Sequence, residues 1–279
     1  MPLIFGCIVP HGSVIPGTPG ADACAATTAA MREIGRRLAA AQPDTVVVVT
    51  PHGIRVDGAL AVSCSERAAG VLDDPITEHG EQRPVRVDLA VDRDLARALL
   101  AGATAASVPT VAAHYGATTG PHDCYPLDWG AIVPLWFLGA RFTPRPRAVL
   151  VVPSRLLPLD ALTSFGRALA GAATASERRV ALVASADLAH AHAADGPYGY
   201  DPAAAAFDAW IEAAVKDDDL NRLREPDMEM VRRAAPDGLW QILVLAGALE
   251  HTPMRGEFLS YERPSYYGML TAAYAPTAA

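Results

Sequence analysis

Two short apolar runs in this chain end in the same tripeptide, Pro-His-Gly, and a helical pattern separates them. The first run is LIFGCIVPHG at residues 3–12, and the second is DTVVVVTPHG at residues 44–53. Between them lies ADACAATTAAMREIGRRLAAAQPD, which is rich in helix formers and is stopped by Pro43. Proline ends a strand by removing a hydrogen-bond donor, and glycine lets the backbone turn sharply. The pattern therefore predicts two strands joined by a helix.

The same alternation continues through the chain and predicts an α/β fold. Predicted strands occupy residues 3–9, 45–50, 58–64, 84–90, 147–152, 179–184, 256–262 and 266–274. Further predicted helices occupy residues 92–103, 158–173, 201–219 and 236–250, the last of them buried on most sides. No repeat or flexible linker marks a boundary, so residues 1–279 are predicted to form a single domain. The longest non-periodic segment, residues 112–130, is the type of long loop that is often functional.

Composition excludes several classes of function. The formal net charge of −8 argues against a nucleic-acid partner or an anionic membrane surface, since both favour a basic patch. No apolar run reaches the roughly 20 residues that cross a bilayer, and the N-terminal residues lack the features of a signal peptide. We therefore expect a cytoplasmic protein without a membrane partner. The four cysteines form no CxxC pair, so neither a zinc knuckle nor a redox motif is indicated.

Three histidines share one placement in the sequence. His11 and His52 follow the two apolar runs, and His190 follows RVALVAS in the segment SADLAH. Ligands of α/β proteins gather beyond the carboxyl ends of the strands, so three imidazoles delivered there could converge. Taken singly, a histidine after a strand is more often an ordinary polar residue with a hydrogen-bond partner. The repeated Pro-His-Gly favours a shared site.

Two imidazoles and one carboxylate form the ligand set of many non-heme Fe(II) oxygenases. The carboxylate could come from Asp237, at the start of the predicted helix 236–250. An aspartate there also has a structural explanation, because it stabilises the helix dipole. The rival carboxylate is Glu262, on a predicted strand near the C-terminus.

Four motifs together resemble a known family. VPHG at 9–12, TPHG at 50–53, DWGAIVPL at 128–135 and SADLAHAH at 185–192 are similar to segments of the class III extradiol ring-cleavage dioxygenases of the LigB type. That superfamily also contains the MEMO proteins. The resemblance runs from residue 3 to about residue 273. It implies a central mixed sheet flanked by helices and a ferrous iron cofactor, Fe(2+).

The resemblance also implies which residues act. His11 and His52 match the iron ligands, and Asp237 occupies the third-ligand position, which is glutamate in protocatechuate-type enzymes and cysteine in MEMO proteins. His190 matches the acid/base, which is not a ligand in the iron enzymes. Asp187 would orient the backbone or His190 by hydrogen bonding, or would simply cap a turn.

One position departs from the family pattern. Trp129 stands where many members have a histidine, so substrate contacts would fall to Trp129 itself or to His114 and His122 in the preceding loop. The implied partners are O2 and a catechol-like or aminophenol substrate. A homo-oligomer is the usual family state, and a small accessory subunit is left open. The alternative function is a MEMO-like metal-binding or adaptor protein without ring cleavage, and a metal-dependent hydrolase is weaker. No G-x-S-x-G, Walker or G-x-G-x-x-G motif supports other catalysis.

Overall fold

The computed structural model describes residues 3–18, 20–72, 76–78 and 81–276. The valine-rich runs form the centre of an eight-stranded mixed sheet. Four parallel strands lie side by side in the order β1 (Leu3–Val9), β11 (Val180–Ser185), β2 (Thr45–Val49) and β10 (Arg147–Pro153). Because these strands are parallel, their carboxyl ends meet at one edge of the sheet.

Antiparallel strands extend the sheet on both sides. Next to β1 lie β13 (Met269–Ala275) and then β12 (Arg255–Glu262). Next to β10 lies β3 (Leu60–Ser63), which pairs in parallel with the last strand, β8 (Thr110–Ala113). Strands from both ends of the chain therefore share one sheet, which is consistent with a single-domain fold.

The helices and smaller strands complete the fold. The helices are α1 (Ala25–Ala41), α2 (Arg93–Ala105), α3 (Trp129–Leu138), α4 (Leu159–Ala175), α5 (Ala203–Lys216), α6 (Met228–Ala234) and α7 (Leu239–His251), with short 3-10 helices at Ala21–Cys24 and Leu220–Arg224. A three-stranded sheet contains β4 (Arg67–Val71), β7 (Arg86–Ala90) and β9 (Cys124–Pro126), and β5 (Ile76–Glu78) pairs antiparallel with β6 (Glu81–Arg83).

Both faces of the large sheet are buried, as the unbroken valines of β2 require. Val47 and Val49 belong to a hydrophobic cluster that includes side chains of α4 and α7. Val46 and Val48 belong to a second cluster, built with side chains of α1 and α3. Successive strand residues point to opposite faces, so each layer of helices covers one set of valines.

The structure confirms the predicted α/β class and the position of the main strands and of the five helices. Residues 239–248 of α7 are all buried, as expected. The segment 112–130 is not one long loop, because it contains β9, the end of β8 and the start of α3. In the described part of the chain, every helix is too short or too polar to span a bilayer.

Candidate metal centre

The carboxyl ends of β1 and β2 bring His11 and His52 together, and the residue two before α7 supplies Asp237. The His11 Nε2 atom lies 3.3 Å from Asp237 Oδ2, and the His52 Nε2 atom lies 3.7 Å from the same oxygen. One ligand atom from each of the three residues lies within 4.8 Å of the other two. The two imidazole rings stand edge to face, with their centroids 5.1 Å apart. His52 is 41 positions after His11 and 185 positions before Asp237 in the sequence, yet the three side chains meet at one point.

The chemistry of this cluster fits a divalent transition metal. Asp237 is only 6% exposed, and its Oδ1 atom has no hydrogen-bond partner among the described residues. Burial by itself raises the pKa of Asp237, but the histidines, chiefly His11, hold that pKa below its usual value. A buried, charged carboxylate beside two imidazole nitrogens is a donor set that binds ferrous iron and related ions. The three residues could therefore hold a metal.

A hydrogen-bond relay aims His11 at the cluster. The His11 Nδ1 atom lies 3.0 Å from Ser185 Oγ, and that hydroxyl donates to the carbonyl oxygen of Gly130 at 2.5 Å. Because the hydroxyl proton goes to Gly130, Ser185 Oγ accepts from Nδ1–H, which leaves the Nε2 lone pair of His11 for a metal. The carbonyl of Gly130 is available because Pro134, four residues later in α3, has no N–H to donate.

The two histidines have opposite electrostatic environments. Burial lowers the pKa of His11, but the carboxylates of Asp187 and Asp237 outweigh it and raise that pKa to about 9. Burial lowers the pKa of His52 to about 4, and the charge of His11 acts in the same direction. In the metal-free protein at neutral pH, His11 therefore carries a proton that it shares with the acids, while His52 is neutral.

Asp187 contacts His11 and not His190. Its Oδ1 atom accepts a hydrogen bond from the backbone N–H of His11 at 3.0 Å, and its Oδ2 atom lies 3.5 Å from His11 Nε2. Burial raises the pKa of Asp187, against the opposing charge of His11. The sequence left open whether Asp187 orients the backbone or His190, or caps a turn. This geometry matches orientation of the backbone.

His190 lies beside the cluster at a longer distance. Its Nε2 atom is 4.0 Å from Asp237 Oδ2, and its Nδ1 atom is 2.9 Å from the carbonyl oxygen of Leu188. A carbonyl only accepts, so Nδ1 carries the proton of the neutral ring and Nε2 faces the cavity with a free lone pair. The ring stacks on Tyr267, with centroids 5.5 Å apart and planes at 23°.

The glycine after each histidine has its own structural reason. Gly53 has a φ of 85°, a left-handed conformation that favours glycine, as the sharp turn after His52 predicts. Gly12 has no positive φ. A Cβ atom at Gly12 would lie only 2.3 Å from the hydroxyl oxygen of Tyr267, so glycine there makes room for the tyrosine that stacks on His190.

The cluster lies in a cavity of about 840 Å³ with an aromatic rim. Tyr198, Tyr266 and Tyr267 surround His190 on one side, with ring centroids 5.5 to 5.8 Å from it. On the other side, the half-exposed Trp129 lies over His52, with the ring centroids 4.2 Å apart. This volume and lining suit a small aromatic molecule.

Three residues predicted from sequence lie elsewhere. His114 and His122 do not line this cavity in the described structure. His114 faces Asp123, with Nδ1 3.5 Å from Oδ1, and His122 is exposed. Glu262 accepts hydrogen bonds from the backbone N–H of Thr27 at 2.6 Å and from its hydroxyl at 2.7 Å. The expectation that these residues reach the site is corrected accordingly: His114 is engaged with Asp123, and Glu262 caps the N-terminus of α1.

Sequence reasoning missed Tyr198 of the aromatic rim and four polar or charged residues of the site. Ser185 ends β11, Arg155 follows β10, and both obey the strand-end pattern that identified the histidines. Arg55 comes three residues after His52, and Asp128 precedes α3 within the DWG motif. Burial raises the pKa of Asp128. A search for serine and arginine at the carboxyl ends of the predicted strands would have found Ser185 and Arg155.

The fold and the cluster define the class of this chain as an α/β protein with a His-His-Asp candidate metal centre at the carboxyl edge of its sheet. A family model described as the catalytic LigB subunit of aromatic ring-opening dioxygenase matches residues 6–275. The chain belongs to the LigB family.

Two individual proteins are similar to this chain. Protein CA_C1420 of Clostridium acetobutylicum is 28% identical over 236 residues, which cover 85% of this chain and 49% of that protein. The chain therefore spans about half the length of that relative. The crystal structure of the uncharacterized protein JW3007 from Escherichia coli K12 superposes with a TM-score of 0.61 at 16% identity, covering 97% of this chain and 99% of that one. This second likeness concerns the fold alone.

Proposed function

We propose that the protein is a ferrous-iron-dependent extradiol dioxygenase that opens a catechol-like or aminophenol ring with O2. The observation that carries the proposal is the His11, His52 and Asp237 cluster, whose donor atoms converge beside a fourth, non-ligating imidazole, His190. A metal held by three residues on one side keeps its other positions open for substrate and oxygen. Membership of the LigB family supports the same reaction class.

Each residue of the site has a defined task in this proposal. His11, His52 and Asp237 would hold the ion, and Ser185 and Asp187 would keep His11 in place through its ring and its backbone. Ferrous iron at these ligands would supply Lewis-acid binding of the substrate and of O2, and the redox chemistry of ring opening. The aromatic rim would hold the substrate ring and exclude water.

His190 would move the proton. Its Nε2 atom faces the cavity with a free lone pair, because Nδ1–H is engaged with the Leu188 carbonyl. It would accept a proton from a substrate hydroxyl as the substrate binds and would return it later in the cycle. Tyr267, which stacks on this ring, fixes its orientation.

The test is oxygen consumption by protein purified under nitrogen, loaded with ferrous iron, and offered a panel of catechols and aminophenols. The proposal predicts consumption of one O2 per substrate and a ring-opened product whose absorption differs from that of the starting ring. If the iron-loaded protein consumes no oxygen with the whole panel, the proposal fails.

A second candidate function is a MEMO-like metal-binding or adaptor protein without ring cleavage. The observation that favours it is Trp129, which covers one side of His52 where many family members carry a histidine. Metal binding without oxygen consumption in the same assay would support it. The homo-oligomeric state and an accessory subunit, which the family resemblance suggests, are proposals that mass measurement in solution would test. The cytoplasmic location is likewise a proposal.

A further inference from the structure

Asp208 is a charged residue on the buried face of α5 and is only 2% exposed. The other large members of that face are apolar: Phe207, Ile211 and Val215. A buried charge lowers stability unless it is paired and hydrogen-bonded. Asp208 belongs neither to the candidate metal ligands nor to the residues that line the cavity. Its contacts therefore need an explanation of their own.

Three hydrogen bonds converge on the Asp208 carboxylate. Its Oδ2 atom accepts from the Tyr261 hydroxyl at 2.7 Å and lies 2.7 Å from His192 Nε2. An ionised carboxylate only accepts, so this ring nitrogen carries a proton and donates it. The Oδ1 atom accepts from the backbone N–H of Ala189 at 2.9 Å. The first two bonds hold the carboxylate in place, and the third joins it to the residue that precedes His190.

The peptide group that Asp208 contacts is the one that also contacts the His190 ring. The His190 Nδ1 atom lies 2.9 Å from the carbonyl oxygen of Leu188, and this carbonyl shares its peptide bond with the Ala189 N–H. Resonance couples the two ends of a peptide group, so a negative charge at the N–H makes the carbonyl oxygen a stronger acceptor. Leu188 and Ala189 are fully buried, so water does not screen this effect. Two hydrogen bonds and one peptide group thus connect Asp208 to His190 Nδ1.

Asp208 also lies against the segment that carries Tyr267. A Cβ atom at Gly268 would clash with Asp208 Oδ2, so glycine at this position leaves room for the carboxylate. The Gly268 N–H donates to the carbonyl oxygen of Ala189 at 3.1 Å, which joins this segment to the segment of His190. Because Tyr267 stacks on His190, one carboxylate holds the backbone beside both rings.

We propose that Asp208 is a positioning residue for His190, the proposed acid/base, and that it acts through the peptide group between Leu188 and Ala189. The inference rests on the proposed function for the task of His190, and it adds how the ring is prepared for that task. The polarised carbonyl holds the ring proton on Nδ1 and keeps the Nε2 lone pair facing the cavity. It also stabilises the ring when Nε2 accepts a proton from the substrate. If Asp208 only ties α5 to its neighbours, none of these effects follows.

The first test is the tautomer of His190 in the metal-free protein, which does not depend on turnover. The nitrogen chemical shifts of isotope-labelled histidine are recorded at about pH 8, where an ordinary imidazole is neutral, and the His190 ring is assigned with His190→Gln. The variant is Asp208→Asn, which keeps the shape of the side chain and removes its charge. The matched control is Asp92→Asn, at another buried aspartate that caps α2 outside the cavity.

We expect the wild-type His190 ring in the Nδ1–H form. In Asp208→Asn, the ratio of the Nδ1–H to the Nε2–H form should fall about fivefold or more, because a charge-assisted hydrogen bond is replaced by a neutral one. Asp92→Asn should lower stability and keep the wild-type ratio. A wild-type ring in the Nε2–H form would overturn the proposal even if Asp208→Asn failed to fold. An unchanged ratio in Asp208→Asn, or an equal change in both variants, would also overturn it.

The second test uses the ferrous-loaded protein and separates positioning from the proposed function. Asp208→Asn should keep its iron, because Asp208 is not among the candidate ligands, and should lower kcat about 10- to 100-fold with KM within about twofold. Asp92→Asn should keep the wild-type kcat. An unchanged kcat in Asp208→Asn, beside an active wild type, would overturn the positioning role. If no form of the protein consumes oxygen, the dioxygenase proposal falls, and the tautomer ratios still decide whether Asp208 orients His190.

Discussion

Replacing Ser185 by alanine should weaken metal binding without removing any ligand. Ser185 is fully buried, and its hydroxyl bridges His11 Nδ1 to the Gly130 carbonyl. Without it, two buried polar groups lose their partner, since Pro134 cannot donate to that carbonyl. His11 also loses the contact that directs its Nε2 lone pair to the cluster.

The expected magnitudes follow from these lost contacts. Loss of such an outer hydrogen bond typically reduces metal affinity about 10- to 100-fold. Each buried group left unpaired costs about 1–3 kcal/mol of folding stability. The variant should therefore bind ferrous iron more weakly and also unfold at a lower urea concentration than wild type.

The assay combines ferrous-iron titration against a competing chelator with urea unfolding. The matched control is Ser260→Ala, which breaks another buried hydrogen bond, between the hydroxyls of Ser260 and Thr271 on two strands away from the cavity. The control should lose about 1 kcal/mol of stability and keep wild-type iron affinity. Wild-type iron affinity in Ser185→Ala would refute the relay.

Two further predictions concern the electrostatics of the site and the rival ligand. Because the pKa of His11 is raised to about 9 and a metal must displace its proton, ferrous-iron affinity should rise about tenfold per pH unit from pH 6 to 8. Asp187→Asn removes a charge that raises the pKa of His11, so the iron affinity of this variant should stop rising at a lower pH than that of wild type. A wild-type iron affinity that does not change with pH would contradict the assignment of His11 as a ligand. Glu262→Ala should leave iron content unchanged but lower stability by about 1 kcal/mol, because Glu262 caps α1 through Thr27. The test is to measure the iron content and the urea midpoint of this variant together. Loss of iron would show that Glu262 is a metal ligand.

The sequence predicts the parts of the site that local rules govern. His11 and His52 follow apolar strands, and parallel strands end at one edge, so their convergence follows from the periodicity and the sheet. Asp237 before a buried helix is weaker evidence on its own. The structure brings it to the histidines because α7 packs on the face of the sheet and begins at its carboxyl edge.

Other parts depend on contacts that sequence does not encode locally. Helix α3 was missed because WGAIVPLWFL is apolar throughout, without a helical period, and contains Pro134. That same proline leaves the Gly130 carbonyl available to Ser185, which lies 55 residues away in sequence. The presence of Arg55 and Arg155 in one cavity, and the opposite pKa shifts of His11 and His52, likewise arise only from the folded arrangement.

The most direct test of this account is the iron content of four alanine variants, purified under nitrogen with ferrous iron. We predict about one iron per chain in wild type and in the His190 variant, and much less in the variants at His11, His52 and Asp237. The His190 variant should keep its iron and lose most oxygen consumption, because its imidazole lies beside the ligand cluster without being one of its ligands. Full iron loading in the variants at positions 11 and 52 would contradict the central claim that these two histidines hold the metal.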